Sequence, residues 1–347
     1  MSLVLHRSNR IEELSKRLAA LLKQPVNSSN ADLITKTLLR PETVVINSMG
    51  MQRWLSMQLA HHLGISSNIH FPFPTRTVQE ILQDTVGETD LHDLQQWAPK
   101  NLAWHILPQV RQSLEVQAFA PLKGYLCEGD RSPSTIARTE YILARRIADV
   151  FDKYLTYRPE MVLEWEASPH QFQEDWQPLL WNQLRAELHG SHVANLAAEF
   201  LYQPAKSPLD AESLPSRLML FGLSTFPPLW VDVLNKLSEH IPVHLFVLCP
   251  SRQYWGHIAS KREIAIQLRK QSNQDILASE LYLEEGNPLL SSFGRVGRDF
   301  QCVLEGPTAL EGYQDSGDDL FVEPDANQAT LLTLLQRDIL DLRSPKR

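Results

Sequence analysis

The chain has 347 residues, 43% hydrophobic and 21% charged, which is ordinary globular usage and enough for about two domains with cores of their own. Lys and Arg number 33 against 41 Asp and Glu, a net charge of -8, which excludes coating nucleic acid by bulk electrostatics but not local contact with it. The cysteines Cys127, Cys249 and Cys302, without a CxxC pair, form neither a disulfide framework nor a cysteine zinc site, and no stretch has the length of a membrane span or the layout of a signal peptide. The expectation is a protein of the reducing cytoplasm with no membrane contact.

Along the chain, Leu3 to Asn9 alternates like a strand, and Ile11, Leu14, Leu18, Leu21 and Leu22 recur as one face of a helix does. Beyond the Ser/Asn-rich VNSSNAD loop, Thr43 to Asn47 reads as a short buried strand. Ser48, Met49 and Gly50 then turn the chain into a helix carrying Met51, Trp54, Leu55, Leu59 and Leu63. From about Val78 to Phe200 the apolar spacing is helical and Pro and Trp punctuate it, which predicts an all-helical insert. Arg217 to Leu223 and Val243 to Cys249 are apolar runs with little alternation, as strands covered on both faces of a parallel sheet should be. Leu229, Val233, Leu234 and Leu237 between them complete a strand, helix, strand crossover. Glu305 to Asn327, acidic and rich in small residues, reads as an exposed loop, and Ala329 to Leu342 as a last amphipathic helix. The expected fold is α/β, with a parallel-sheet domain of residues 1–77 and 205–347 around a helical insert of residues 78–204.

Chemical motifs are conspicuous by failing. A strand, turn and helix near the start of an α/β domain is where a phosphate loop sits, but Ile46 to Arg53, INSMGMQR, has one glycine and no Lys, and Gly-Lys occurs nowhere. Neither late strand ends in the paired acidic residues of a metal-holding element. FGLSTF around Ser224 lacks the second glycine of a nucleophile elbow, so Ser224 reads as a strand-end turn residue. His189 with His192 and His240 with His244 have a spacing that a helix could bring together on a metal, yet no third ligand is in view and packing is the preferred reading. Glu12 with Glu13, and Asp315 to Asp319, read as a solvated face and a solvated loop. No catalytic residue and no metal ligand is assigned.

The segment Thr135 to Pro159 is the best helix in the chain. Ile136, Ile142, Leu143, Ile147, Val150, Tyr154 and Leu155 are assigned to its buried side, while Arg138, Arg145, Asp149 and Asp152 recur at helical spacings along another. Two readings stay open. One is a stripe of Arg145 to Asp149 ion pairs, worth ~0.3 to 0.5 kcal/mol each. The other is a polar face lining a channel, where carboxylates accept from exocyclic amino groups of bases and arginine pairs with guanine or phosphate.

Five blocks carry a family resemblance: HRSNRIEEL, GMQRWLSMQLAHHLGISSNIHFPFP, ADVFDKYLTYRPEMVLEWE, LPSRLMLFGLSTFPPLWVDVLNKLSEHIPVHLFVLCPSRQYWG and GNPLLSSFGRVGRDF. In order and spacing they resemble the N-terminal part of the RecC family, the gamma subunits of exodeoxyribonuclease V, along essentially the whole chain. The resemblance implies a RecA-like sheet domain (1A-like, degenerate) and a 1B-like helical insert of a superfamily 1 helicase that has lost its ATP-binding motifs. It implies a fragment of a longer, non-catalytic subunit whose channel carries the unwound 3′-ended strand and scans it for the Chi signal in double-strand break repair. It implies as partners a RecB-like helicase-nuclease subunit and a RecD-like helicase subunit, with ATP and Mg²⁺ in those partners only.

Carried over residue by residue, the family's Chi-reading positions fall on Asp149, Asp152 and Arg158. The sequence departs from the enteric pattern at Asn47 and Met49, where that pattern has Gln and Thr, at Arg53 for Gln, and at Val193 for Arg, so the same octamer is not implied. Arg53, near a helix N-terminus, is a further candidate for a phosphate or a base, with a surface salt bridge as the alternative. Two rival functions follow from the residues themselves: a structural adaptor that holds partner motors without touching DNA, and a DNA-dependent ATPase.

Overall fold

The structure, a computed structural model, describes residues 3–24, 40–86, 91–127, 133–202, 214–270, 286–305, 313–325 and 330–343. The VNSSNAD segment lies outside the described residues. The chain forms two compact units, one of residues 1–77, 214–226 and 230–347, the other of residues 78–213 and 227–229.

The first unit is built on six strands, β1 (Leu3–Ser8), β2 (Glu42–Val45), β3 (Ile69–His70), β4 (Leu218–Phe221), β5 (Val243–Leu248) and β6 (Gln314–Asp315). All pairs are parallel and the order is β3-β2-β4-β5-β1-β6. Register aligns Leu3 and Leu218 with Val243, and Thr43 with Leu218. Every residue of β4 is buried, which is why its sequence does not alternate. The helices Ile11–Leu22 and Met49–Leu63 share one core with the sheet, in which Leu14, Leu18, Leu55 and Leu59 meet Val44, Met219, Phe221 and Phe246. The second of these helices starts at Met49, and the Ser48 hydroxyl caps it by accepting from the Met51 N–H at 3.1 Å. Gly222 closes the turn after β4 at φ 66°, a left-handed conformation, and a Cβ there would lie 3.2 Å from the Met51 methyl.

Three polar groups are fixed within this unit. Arg217, at the entry to β4, gives Nε and Nη2 to Glu42 at 3.0 and 2.6 Å and Nη1 to the Leu21 carbonyl at 3.0 Å. His6 and His244 meet at 3.2 Å, with His6 stacked on Phe246 at 4.5 Å. Burial, reinforced by His244 and Arg17, pushes the His6 pKa down to about 3, and burial with Arg217 and Arg17 pushes that of His244 to about 4. Both rings are therefore neutral at pH 7.

The segment expected as an exposed acidic loop is partly ordered. Gln314 and Asp315 pair with Val4 and Leu5, and the Ser316 N–H continues the ladder to the Leu5 carbonyl at 3.0 Å. Arg7 holds Glu305 at 2.9 Å and also pairs with Asp315, while Arg17 holds Asp318 at 2.9 Å. Further on, the Ser8 hydroxyl donates to the Leu320 carbonyl at 2.6 Å, and Asn9 exchanges two hydrogen bonds of 2.9 Å with the backbone of Val322. Asp315 and Asp318 thus pair with arginines on β1 and the following helix, while their side chains stay 49 and 43% exposed, as expected of this loop. After Thr330, whose side chain caps it, the last helix runs Leu331–Leu340.

The second unit is helical throughout its described residues. Its helices include Pro99–Ser113, Pro133–Tyr157, Pro159–Ala167, Trp176–Glu187 and Val193–Tyr202. Leu102, Ala103 and Ile106 of the first pack with Ala144, Ile147, Ala148 and Phe151 of the second, and Trp181 fills the centre. Burying such side chains contributes roughly 1.5 to 3 kcal/mol each.

The assignment of the buried side of the long helix needs correction. Ile136, Ile142 and Val150 are 37, 38 and 37% exposed, whereas Ala144, Ala148 and Phe151, outside the expected set, are in the core. Ile147, Leu155 and the partly buried Leu143 and Tyr154 lie on the side expected of them.

A polar staple closes this core. His192, fully buried, gives its Nε2 to Glu166 at 2.6 Å and accepts at Nδ1 from the Asn195 N–H at 3.3 Å, which fixes the tautomer. Trp181 Nε1 and the Asn195 side chain also donate to Glu166, at 2.9 and 3.2 Å. Burial alone would raise the Glu166 pKa, but the hydrogen bonds from His192, Trp181 and Asn195 pull it to about 2. Burial keeps His192 neutral by lowering its pKa. His189 is exposed in the loop before Val193 and does not meet His192 on a helix, and His240 and His244 are likewise divided between a turn and β5. Among the described residues no group of three His, Cys, Asp or Glu is placed to hold a metal ion.

Candidate nucleic-acid interface

The Pro133–Tyr157 helix runs for 25 residues with no glycine, and ends where Arg158 leaves helical geometry (φ -143°, ψ 50°) ahead of Pro159, which starts the next helix. Flanking its buried side runs a stripe in which Arg138, Ile142, Arg145, Asp149 and Asp152 follow one another at alternating spacings of four and three residues, all exposed.

Among the described residues, Arg138, Arg145, Arg146, Asp149, Asp152 and Arg158 make no ion pair and no side-chain hydrogen bond. The Arg145 to Asp149 pair that a surface reading requires is not formed, although the spacing permits it. Nearby, by contrast, Arg111 is bonded to Glu140 at 2.5 Å and His105 to Glu187 at 2.7 Å. Desolvation, followed by the Asp149 carboxylate one turn away, raises the Asp152 pKa, with Lys153 opposing. Such a stripe holds acceptors and donors with nothing among the described residues to satisfy them.

The predicted residues thus fall in two places. Asp149, Asp152 and Arg158 share one helix and its C-terminal corner in the second unit, whereas Arg53 is exposed on the Met49–Leu63 helix of the first. Asn47 is exposed in the turn before that helix, with its amide 3.5 Å from the Gly222 carbonyl, and Met49 is exposed beside it. Val193 begins the last helix of the second unit and packs partly buried against that unit's core. Sequence reasoning overlooks Ile142 as a member of the stripe; its place seven residues before Asp149 is the available signal.

The first unit contains a cavity of about 140 Å³ at the carboxyl ends of β4 and β5, lined by Leu223, Cys249, Trp255, Phe300, Leu304 and Arg7 among others. Arg7 is taken by Glu305 and Asp315. Burial pushes the Cys249 thiol up to about 12, so it stays protonated. Ser224 at the rim is an exposed turn residue. Among the described residues no activated nucleophile faces this cavity.

A sequence model of a family described as RecC, N-terminal domain, matches residues 3–342. Among curated proteins, the RecBCD enzyme subunit RecC of Escherichia coli K12 is 30% identical over 331 residues, covering 88% of this chain and 28% of the relative. The subunit of the same name from Haemophilus influenzae is 28% identical, covering 87% and 30%, and that from Mycolicibacterium smegmatis is 30% identical, covering 90% and 26%. The chain therefore spans under a third of the length of these relatives.

Proposed function

The chain belongs to the RecC family through its N-terminal domain, and from that premise we propose that it is the N-terminal part of a non-catalytic subunit of a RecBCD-type helicase-nuclease. In this reading it lines the channel for the unwound 3′-ended strand and scans that strand for a Chi signal during double-strand break repair. A RecB-like helicase-nuclease and a RecD-like helicase are its partners and supply the ATP and Mg²⁺ chemistry.

The observation that carries this reading is the unpaired charged stripe of the Pro133–Tyr157 helix. Asp149 and Asp152 present acceptors suited to the exocyclic amino groups of bases, and Arg158 at the corner presents a fork suited to guanine or phosphate. A raised Asp152 pKa fits a carboxyl whose partner arrives from outside.

The sheet supports the non-catalytic part. In such a sheet a nucleotide sits where neighbouring strands send their connections to opposite sides, which here is the carboxyl end of β1 beside β5. That is the turn Ser8-Asn9-Arg10, not the Ile46 to Arg53 turn alone, and it too lacks a Lys. Its polar side chains are bonded to Leu320 and Val322, and Glu12 and Glu13 put carboxylates in the first helical turn, where a phosphate would otherwise be stabilised. This weighs against a DNA-dependent ATPase.

The test is a set of single variants, Asp149→Asn, Asp152→Asn and Arg158→Ala, in the full-length subunit within its complex. The response to the host's Chi octamer should be lost or relaxed while DNA-dependent ATP hydrolysis continues. An unchanged octamer response in all three would remove the assignment and favour the structural adaptor. Because Asn47, Met49, Arg53 and Val193 differ from the enteric pattern, the octamer recognised should also differ from the enteric one.

A further inference from the structure

We infer that the strand-contacting face continues toward the start of the Pro133–Tyr157 helix, where Trp104 and Tyr141, flanked by Arg138 and Arg145, form a stacking platform for unpaired bases of single-stranded nucleic acid. The inference rests on the proposed function and extends it to Trp104 and Tyr141, which that reading leaves out, and to a specific task for Arg138 and Arg145 of the stripe.

Trp104 projects from the Pro99–Ser113 helix and is 61% exposed. Its ring lies 5.1 Å from that of Tyr141, tilted by 38°, so Tyr141 backs the indole, most of whose surface stays exposed. Arg138 lies three residues before Tyr141 and Arg145 four residues after it, one helical turn to either side. Neither arginine, nor the adjoining Arg146, has an acidic partner among the described residues. Ile142, 38% exposed, adds an apolar patch between them.

A protein partner could cover the indole, but three arginines without counter-charges would then be desolvated at a cost unless that partner brought anions. A single strand supplies both chemistries at once, a π-face for Trp104 and phosphates for the arginines. The platform is also continuous with the proposed reading site. From Arg138 to Asp152 the stripe is unbroken, and at a rise of ~1.5 Å per residue it extends about 20 Å, a track for several extended nucleotides.

The experiment measures binding of a fluorescent oligothymidylate to this chain by anisotropy at several salt concentrations, with Trp104→Ala, Trp104→Phe, the double variant Arg138→Ala/Arg145→Ala, and Arg158→Ala. Trp104→Ala should weaken binding about ten-fold, with Trp104→Phe recovering most of it. The arginine double variant should flatten the dependence of log affinity on log salt by about 1.4, ~0.7 for each phosphate no longer neutralised. Because all these side chains are exposed, circular dichroism should be unchanged. Parent-like binding and salt slope in the Trp104 and arginine variants, with Arg158→Ala weakened, would overturn the platform and leave the proposed function standing. Effects at Trp104 and the arginines without any at Arg158 would do the reverse. Absence of oligothymidylate binding by the parent chain, or loss of partner assembly in Trp104→Ala with unaltered oligothymidylate binding, would overturn the platform as well.

Discussion

Replacing Glu166 by Ala should unfold the helical unit more readily than any surface change in it. The substitution strands three donors that now converge on one carboxylate: His192 Nε2 at 2.6 Å, Trp181 Nε1 at 2.9 Å and the Asn195 amide at 3.2 Å. A buried donor left without a partner costs ~1 to 3 kcal/mol. The Glu166 side chain is 15% exposed, so water reaches part of the gap, and about 3 to 5 kcal/mol in all is expected. For a unit of this size that is a fall in Tm of about 10 °C or more.

A pH signature accompanies it. Glu166 has a folded pKa of about 2 against an ordinary value of 4.5, so its contribution is present above pH ~4.5 and is lost as pH falls toward 2, about 3 kcal/mol at most. Buried neutral His192 acts in the same direction, since below its ordinary value of 6.5 the unfolded chain takes up a proton that the folded one resists. Urea unfolding followed by tryptophan emission suits the test, because the rings of Trp97 and Trp181 lie 5.1 and 5.4 Å from His192. Glu166→Ala should lose several kcal/mol at pH 7 and show a flatter decline between pH 4.5 and 2. A loss under about 1 kcal/mol, or an unaltered acid decline, would refute the reasoning.

In the sheet unit, His6→Phe keeps the ring stack on Phe246 and removes a group whose folded pKa is about 3. Stability should therefore fall less steeply than in the parent as pH drops from 6.5 toward 4, read from urea midpoints, and equal slopes would count against a neutral His6–His244 pair. Arg217→Ala leaves Glu42 and the Leu21 carbonyl without their buried donor and should cost about 3 kcal/mol in the same assay. Arg217→Lys should recover only part of this, because an ammonium cannot match the two-pronged contact.

Much of the architecture is legible in the sequence because it is local. The buried strands Leu218–Phe221 and Val243–Leu248 announce themselves as unbroken apolar runs, and Ser48 sits where a cap should. What escapes is what depends on distant neighbours. A two-residue strand such as Gln314–Asp315 has no period to detect, and its stabilising arginines lie some 300 residues earlier. On the long helix, size misleads: Ile142 and Val150 look like core residues, but the helix approaches its neighbour through Ala144 and Ala148, whose small side chains allow close packing.

The charged stripe is visible as a spacing, but its lack of ion pairs is not, because pairing depends on rotamers and on neighbouring helices. His192 carries too weak a local signal, since Glu166 lies 26 residues upstream. The Trp104 platform joins two helices and is invisible for the same reason.

The central claim is that the Asp149 face touches the unwound strand. The most direct measurement places a photo-crosslinking side chain at Thr156, which continues that stripe, and another at exposed Glu115 as control, in the full-length subunit within its complex. Illumination during unwinding of a duplex labelled separately on each strand should join position 156 to the 3′-ended strand and leave position 115 unreacted. Crosslinking to the 5′-ended strand alone, or to neither strand while unwinding proceeds, would contradict the account.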